Sequence, residues 1–330
     1  MEKKTYRWGF VGAGNMAQAM ANDLLLTEGS KIAAVAAKTG KSARKFAGLF
    51  DVPKMYAEVG ELVEDPQLDI VYISTPHPLH YPFAKKAIEA GKAVLLEKPF
   101  TLNAKQAKDL SHLAKENNVF LMEAMWVRYL PVIVELQTLL EDGVIGEIQF
   151  LTSAFHIQLD FDPNSRWYNP ALGGGALLDL GIYPISFASM IFKSQPDEIA
   201  SLAKIGASGV DENFGAVFQY SHGAMAMVSA ALDGNHDQDT MIFGTKGEIR
   251  IQYHPRWKLS RMTVARYAGH DETINLPYLG TGYVHQALEV IECLKQGKLE
   301  SAIMPLQETL AIMETLDRLR SQWGLTYPDE

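Results

Sequence analysis

A single cysteine, Cys293, in 330 residues leaves nothing to form an internal disulfide or a cysteine-based zinc site. Uninterrupted apolar runs of the roughly 18 residues that span a bilayer are missing. The opening Met1-Glu2-Lys3-Lys4-Thr5-Tyr6 carries no secretory apolar core. An excess of basic charge is missing too. With 39 acids against 30 bases the net charge is −9, and only short basic clusters occur, so a phosphate-backbone partner finds no stripe to bind. Internal repeats and low-complexity linkers are absent. What is there is ordinary globular usage, 47% hydrophobic and 21% charged. These exclusions point to a cytoplasmic protein with no nucleic-acid or membrane partner, and the length favours two domains.

The first 125 residues alternate short apolar runs with helical patterns, which predicts a parallel sheet covered by helices on both faces. The strand candidates are Arg7–Val11, Ile32–Ala37, Ile70–Ser74, Ala93–Leu96 and Val119–Met122. From residue 126 to 330 the pattern changes. Strand-like runs fall at Ile148–Ile157, Ile199–Ile205, Phe214–Tyr220, Ala224–Ala230, Thr240–Phe243 and Glu248–Gln252. Ser221-His222-Gly223 and Thr245-Lys246-Gly247 read as hairpin turns. Helices are expected at Val132–Leu140, Ala176–Phe192, Val284–Gln296 and Leu306–Trp323. The expected architecture is α/β followed by α+β: a dinucleotide-binding domain over 1–125, then a large, mostly antiparallel open sheet over 126–330.

Strand Arg7–Val11 runs into Gly12-Ala13-Gly14-Asn15-Met16-Ala17, a G-x-G-x-x-A signature at a strand–turn–helix junction. Gly12 permits the tight turn, Gly14 lets backbone approach a pyrophosphate, and Ala17 lets helix pack closely on strand. The helix N-terminus then offers unpaired N–H groups to phosphate. An NAD site wants a carboxylate at the end of the second strand. Here that strand ends Val35-Ala36-Ala37-Lys38-Thr39-Gly40-Lys41, with Arg44 close behind. Cations and a hydroxyl suit a 2′-phosphate, so NADP is expected rather than NAD.

Strand Ala93–Leu96 ends in Glu97-Lys98-Pro99, which puts Lys98 at a carboxyl end, where ligands of open α/β sheets bind. It could anchor a substrate hydroxyl or be a surface lysine. The fourth strand ends in Ser74-Thr75-Pro76-His77-Pro78-Leu79-His80, where His80 is the better placed of two histidines to face the crevice, or is a mere cap.

These segments and their order resemble the Gfo/Idh/MocA oxidoreductases over essentially the whole chain. Within that family, three stretches look like the dimeric dihydrodiol dehydrogenase and NADP-dependent xylose dehydrogenase branch: Met122 to Pro131, Leu172 to Pro184, and the ending Gln322-Trp323-Gly324-Leu325-Thr326-Tyr327-Pro328. The resemblance implies a Rossmann domain, a sheet domain whose open face builds a homodimer, and Lys98 as catalytic lysine. The family's D-x-x-x-H/Y pair falls on Asp179 and Tyr183, whose i, i+4 spacing puts both on one helical face. The cofactor set it implies is Gly12, Gly14, Asn15, Met16, Lys38, Thr39, Thr75, Pro76, Glu97, Lys98 and Trp126. Trp126, Arg166 and Trp167 are candidate substrate walls, although Arg166 and Trp167 could equally be loop packing; His156 reads as structural.

The expected activity is NADP-dependent hydride transfer between the nicotinamide and a secondary alcohol of a polyol, sugar or cyclic diol. Tyr183 is the first candidate proton acceptor, with His80 and Lys98 as alternatives. Lys98 would hold the hydroxyl, Asp179 would orient the pair, and His80 could bind a second hydroxyl. No metal is implied, for want of a ligand cluster. A sugar-ketone reductase would use the same site in reverse. A non-catalytic NADP-binding regulator is the alternative from another class.

Overall fold

The computed structural model describes residues 4–235, 239–252, 259–328 and 330. The chain divides into two compact units. The first comprises Met1–Thr101, Lys105–Tyr129 and Tyr278–Leu310; the second comprises Leu102–Ala104, Leu130–Pro277 and Ala311–Glu330.

In the first unit six strands form a parallel sheet: β1 (Tyr6–Val11), β2 (Ser30–Ala36), β3 (Lys54–Tyr56), β4 (Ile70–Ile73), β5 (Ala93–Glu97) and β6 (Leu121–Ala124). Their order is β3-β2-β1-β4-β5-β6, so the winding reverses between β1 and β4. That is the switch point of a doubly wound fold, where the strand ends leave a crevice. Ile70, Val71, Tyr72 and Ile73 are all fully buried, as are Val94, Leu95 and Leu96. Consecutive burial on both faces is why these strands read as continuous apolar runs. The crossovers are α1 (Asn15–Leu24), α2 (Gly40–Phe50), α3 (Val59–Val63), α4 (His80–Glu89) and α5 (Ala104–Glu116). The sequence reading places Tyr278–Leu310 with the second domain, whereas its contacts group it with the first unit. One reason is visible at the free edge of β6, where Leu121 N–H donates to the Leu299 carbonyl at 3.0 Å.

The second unit opens with α6 (Pro131–Glu141) and carries an eight-stranded sheet. Its strands are β7 (Ile148–His156), β8 (Glu198–Ile205), β9 (Asp211–Gln219), β10 (Met225–Ala231), β11 (Thr240–Gly244), β12 (Gly247–Ile251), β13 (Arg261–Arg266) and β14 (Glu272–Asn275). The order is β14-β13-β12-β11-β7-β10-β9-β8, antiparallel throughout except for β7 against β10. Both expected hairpin turns are present, Gly223 taking the left-handed φ of 88° that its turn requires. Phe214, Ala216 and Phe218 of β9 alternate inward with Ala226, Val228 and Ala230 of β10, which is the period of two that marks a half-covered sheet. Helix α7 (Ile182–Phe192) packs on β7 and β10.

The sequence reading carries one helix over Ala176–Phe192. The structure splits it: Leu177–Gly181 is a π turn, closed by Ile182 N–H on the Leu177 carbonyl, and α7 follows. Gly181 makes room for the bend, since a Cβ there would come within 2.5 Å of the Phe214 ring. The stretch Pro170–Phe192 is, among the described residues, long and apolar enough to cross a membrane, and 83% of its apolar window is buried inside the protein. Helices α8 (Val284–Lys295) and α9 (Leu306–Trp323) close the chain.

Candidate active site

The first unit carries the glycine-rich turn at the point where its strand order reverses. Gly12 has φ 107°, and a Cβ there would lie 2.6 Å from the Ser74 carbonyl oxygen, so both conformation and the approach of β1 to β4 demand glycine. Gly14 is exposed, faces open space and precedes α1 without a side-chain cap or an acid in the first turn. The first amides of α1 are therefore left for an anion. Ala17 is fully buried. Across the turn, Ser74 Oγ and Thr75 Oγ1 are buried and lack a partner among the described residues. Buried hydroxyls are nearly always satisfied, and a bound dinucleotide would satisfy these two. After β2, Lys38, Lys41 and Arg44 are exposed and make no ion pair among the described residues, while Thr39 Oγ1 caps α2 by accepting from Ser42 N–H at 3.1 Å. The residues present fit a dinucleotide.

Lys98 follows β5 and is half-buried, its peptide bond to Pro99 cis. Beside it Glu97, 5% exposed, accepts from Tyr72 Oη–H at 2.6 Å and from Lys98 N–H at 3.3 Å. Glu97 thus braces the strand end that presents the lysine.

His80 does not face the crevice. It is fully buried, with Nδ1 2.8 Å from the Pro99 carbonyl and Nε2 2.9 Å from the Thr75 carbonyl. Burial pushes its pKa down to about 4, and the nearby Lys98 charge acts in the same direction. A carbonyl stands at each ring nitrogen, and the tautomer of a neutral imidazole decides which of them receives the N–H. His80 was expected to reach a substrate hydroxyl or accept its proton; here its ring nitrogens meet backbone carbonyls. It ties the loop after β4 to the turn after β5.

Glu123, at the end of β6, was not singled out from sequence. It is 1% exposed, accepts from Thr309 Oγ1–H at 2.9 Å, and is pushed up to about 7 by burial, with the Glu97 charge adding to that rise. Trp126, three residues on, is 7% exposed, and its ring centre lies 4.9 Å from that of Tyr283 with the planes tilted by 45°.

In the second unit the Asp179 carboxylate is 3% exposed and lies inside the π turn, where an i→i+5 bond replaces the ordinary ladder. Arg166 Nη1 stands 2.8 Å from Asp179 Oδ2, and the same guanidinium lies over the Trp167 ring at 3.9 Å. The loop holding Arg166 and Trp167 is therefore tied directly to the π turn. Tyr183 begins α7, half-buried, its ring 5.3 Å from that of Phe155. His156 on β7 meets Ser229 Oγ at 2.9 Å.

Two groups behind this turn were given no role from the sequence. Asp211, fully buried, accepts from Leu177 N–H at 2.6 Å and is pushed up to about 7 by burial. Tyr327, from the terminal segment, donates its hydroxyl to the Gly174 carbonyl at 2.7 Å. A Cβ on Gly175, at φ 119°, would fall 2.1 Å from Asp211 Oδ1, which accounts for glycine at that position. Among the described residues no cluster of three or more His, Cys, Asp or Glu is placed to hold a metal.

Residues 6–125 match the oxidoreductase family with an NAD-binding Rossmann fold, and 133–250 match the GFO/IDH/MocA C-terminal domain. The chain is 35% identical to trans-1,2-dihydrobenzene-1,2-diol dehydrogenase of Mus musculus, with 98% of each chain covered. It is 34% identical to D-xylose 1-dehydrogenase (NADP(+)) of Hypocrea jecorina, covering 98% of this chain and 94% of that one. Among solved structures, aldose-aldose oxidoreductase from Caulobacter crescentus superposes with TM-score 0.88 at 22% identity over 97% of this chain and 98% of that one. The fold, the glycine-rich turn and this end-to-end identity place the chain in the Gfo/Idh/MocA family of oxidoreductases.

Proposed function

We propose that this oxidoreductase is an NADP-dependent dehydrogenase acting on a secondary alcohol of a vicinal diol or cyclic sugar. The observation that carries the substrate class is the Arg166–Asp179 pair beside the Trp167 ring. A charged donor, a buried acceptor and an apolar face are what a polyhydroxylated ring needs, because hydroxyl-matched sites reject ligands that leave their polar groups unpaired. The relatives that share the chain end to end are named for a dihydrodiol and for xylose, which agrees with that chemistry.

NADP, when bound, supplies the hydride acceptor. Gly12, Gly14, Asn15 and Met16 hold its pyrophosphate, Thr75 and Pro76 line its path, and Lys38 with Arg44 takes the 2′-phosphate. The missing carboxylate after β2 supports NADP over NAD. In the oxidative direction Tyr183 takes the proton from the substrate hydroxyl, Lys98 holds that hydroxyl and supplies the cation that makes a phenol of ordinary pKa near 10 competent, and Asp179 orients the pair. Following NADPH absorbance over cyclic diols, pentoses and hexoses tests this reading. Turnover of at least one class supports it; NADPH binding with no turnover of any would make the chain a regulator instead.

The second unit carries a further proposal, a homodimer through its open sheet face. Leu202 of β8 is 85% exposed and Met227 of β10 is 51% exposed, on one face of the sheet with Val217 of β9 between them. Monomers seldom leave so contiguous an apolar face uncovered, and a second copy supplies a flat face of the same kind. A dimeric mass by light scattering at micromolar concentration is the expected result, and a monomeric mass there excludes it.

A further inference from the structure

The segment after α9 reaches back to the loop that carries Arg166 and Trp167. Tyr327, 4% exposed, donates its hydroxyl to the Gly174 carbonyl at 2.7 Å. Burial pushes that phenol well above its ordinary pKa, and the Asp211 carboxylate acts in the same direction, so the hydroxyl keeps the proton it donates. Gly174 is buried, and its other side bears on the loop. A Cβ there would lie 2.7 Å from the Trp167 carbonyl oxygen and 3.0 Å from that of Arg166. Gly174 N–H donates to the Asn169 carbonyl at 3.0 Å, and Gly175 N–H donates to the Trp167 carbonyl at 2.8 Å. The two glycines thus lie as a thin strap between Tyr327 and the backbone of residues 166–169.

Tyr327 is itself fixed from behind. Its N–H donates to Glu330 Oε2 at 3.0 Å, and Arg320 Nη1 of α9 stands 2.7 Å from the other oxygen of that carboxylate. The Arg320 guanidinium lies 5.2 Å from the centre of the Tyr327 ring and also donates to the Leu102 carbonyl at 3.2 Å. Every group in this series belongs to the second unit. On its far side the loop has little else to order it, since residues 160–164 are all exposed, as is Arg166. One hydrogen bond is small against the stability of a whole unit. It is large against the opening of a single exposed loop.

We propose that Tyr327 is a positioning residue for the substrate site, holding the Arg166–Trp167 loop, through the Gly174 carbonyl, in the arrangement that meets a sugar or cyclic diol. The proposal rests on the substrate role put forward above for Arg166 and Trp167. A loop that visits the competent arrangement only part of the time binds substrate more weakly in proportion to that fraction. Bound substrate selects the arrangement, so turnover at saturation is spared. The residues proposed to hold the dinucleotide phosphates lie in the first unit and are indifferent to this clamp.

The test compares Tyr327→Phe, which keeps the ring and removes only the hydroxyl, with Val264→Ala, a cavity in β13 that lowers stability without touching the clamp. D-xylose and trans-cyclohexane-1,2-diol are the substrate probes. Tyr327→Phe should raise KM about fivefold to tenfold, with kcat and NADPH affinity changed by less than about twofold. Tryptic cleavage after Arg166 under native conditions reads the loop without substrate, and should quicken by a similar factor. Val264→Ala should melt at a lower temperature with KM and cleavage near wild type. Should Tyr327→Phe not fold, Glu330→Ala releases the other end of the tie and gives the same readouts. Unchanged KM or unchanged cleavage in the clamp variant overturns the proposal, as does an equal rise of KM in Val264→Ala. Should the wild type turn over neither probe, or Arg166→Met leave KM as it is, the substrate reading itself falls, and this proposal with it, whatever the cleavage rate.

Discussion

Arg166 and Asp179 meet at 2.8 Å, one half exposed and the other 3% exposed, so an outer guanidinium neutralises a carboxylate sealed in the π turn. Arg166→Met removes the charge that neutralises that carboxylate. Losing a charge-assisted contact costs on the order of 1–3 kcal/mol, and solvent around the exposed arginine places the loss at the lower end. The melting temperature and kcat/KM should both fall. The double variant Arg166→Met/Asp179→Asn should lose less stability than the two single losses added together. Strict additivity in thermal melts would show that the pair is not coupled.

Cofactor choice is expected to follow the cations after β2. Lys38→Asp removes one charge-assisted contact to the 2′-phosphate and restores a ribose acceptor. The ratio of NADPH to NADH affinity should drop about tenfold to a hundredfold, the equivalent of roughly 1.5–3 kcal/mol. Titration of both cofactors against both proteins measures it, and a wild type that prefers NADH refutes the assignment.

Lys98→Met and Tyr183→Phe should each lower turnover by about 10² to 10⁴ while NADPH affinity, set mainly at Gly12 and Gly14, changes little. Residues that serve one proton path do not add, so the double variant should be scarcely slower than the slower single one. Full turnover by Tyr183→Phe on the true substrate would transfer the proton to Lys98, since the buried His80 is committed to two carbonyls.

Asp211 makes stability depend on pH in an unusual direction. Burial holds it up to about 7 in the folded chain, above its ordinary 3.8. Between those values the folded chain keeps a proton that the unfolded chain releases, so this contribution is present in acid and lost as pH rises through the window. Asp211→Asn still offers Leu177 N–H an acceptor but cannot ionise. Its melting temperature should decline less than that of the wild type between about pH 5 and pH 8. Glu123, also held up to about 7, titrates in both proteins and cancels in the comparison.

The Rossmann half was legible because its determinants are local. Gly12, Gly14 and Ala17 lie within one turn of chain, and each strand is an apolar run of its own. Asp179 and Tyr183 could be named from a short motif, but the π turn between them could not. Its cause is partly Phe214, which sets how closely Gly181 can approach the sheet. Asp211 reaches Leu177 across 34 residues and Tyr327 reaches Gly174 across 153, separations at which no periodicity signals a contact. His80 misled for a related reason: its position suggested a crevice, and only the carbonyls of Thr75 and Pro99 show that its nitrogens are spoken for. Strands β3, β13 and β14 went unseen because they are short or polar. Glu272-Thr273-Ile274-Asn275 has one apolar residue to offer.

The one parallel pairing in the second sheet, Phe150 beside Met225, bears on how the chain assembles. Strands β8 to β10 form one meander and β11 to β14 another, each built from neighbouring hairpins. Strand β7 joins them, and both of its partners come from far along the chain. Closing such distant pairings carries the entropy of large loops, so β7 is the slow seam of the sheet. On a ribosome the earliest strand of this sheet to emerge must wait, unpaired on both edges, until the chain beyond Met225 and Thr240 has been made.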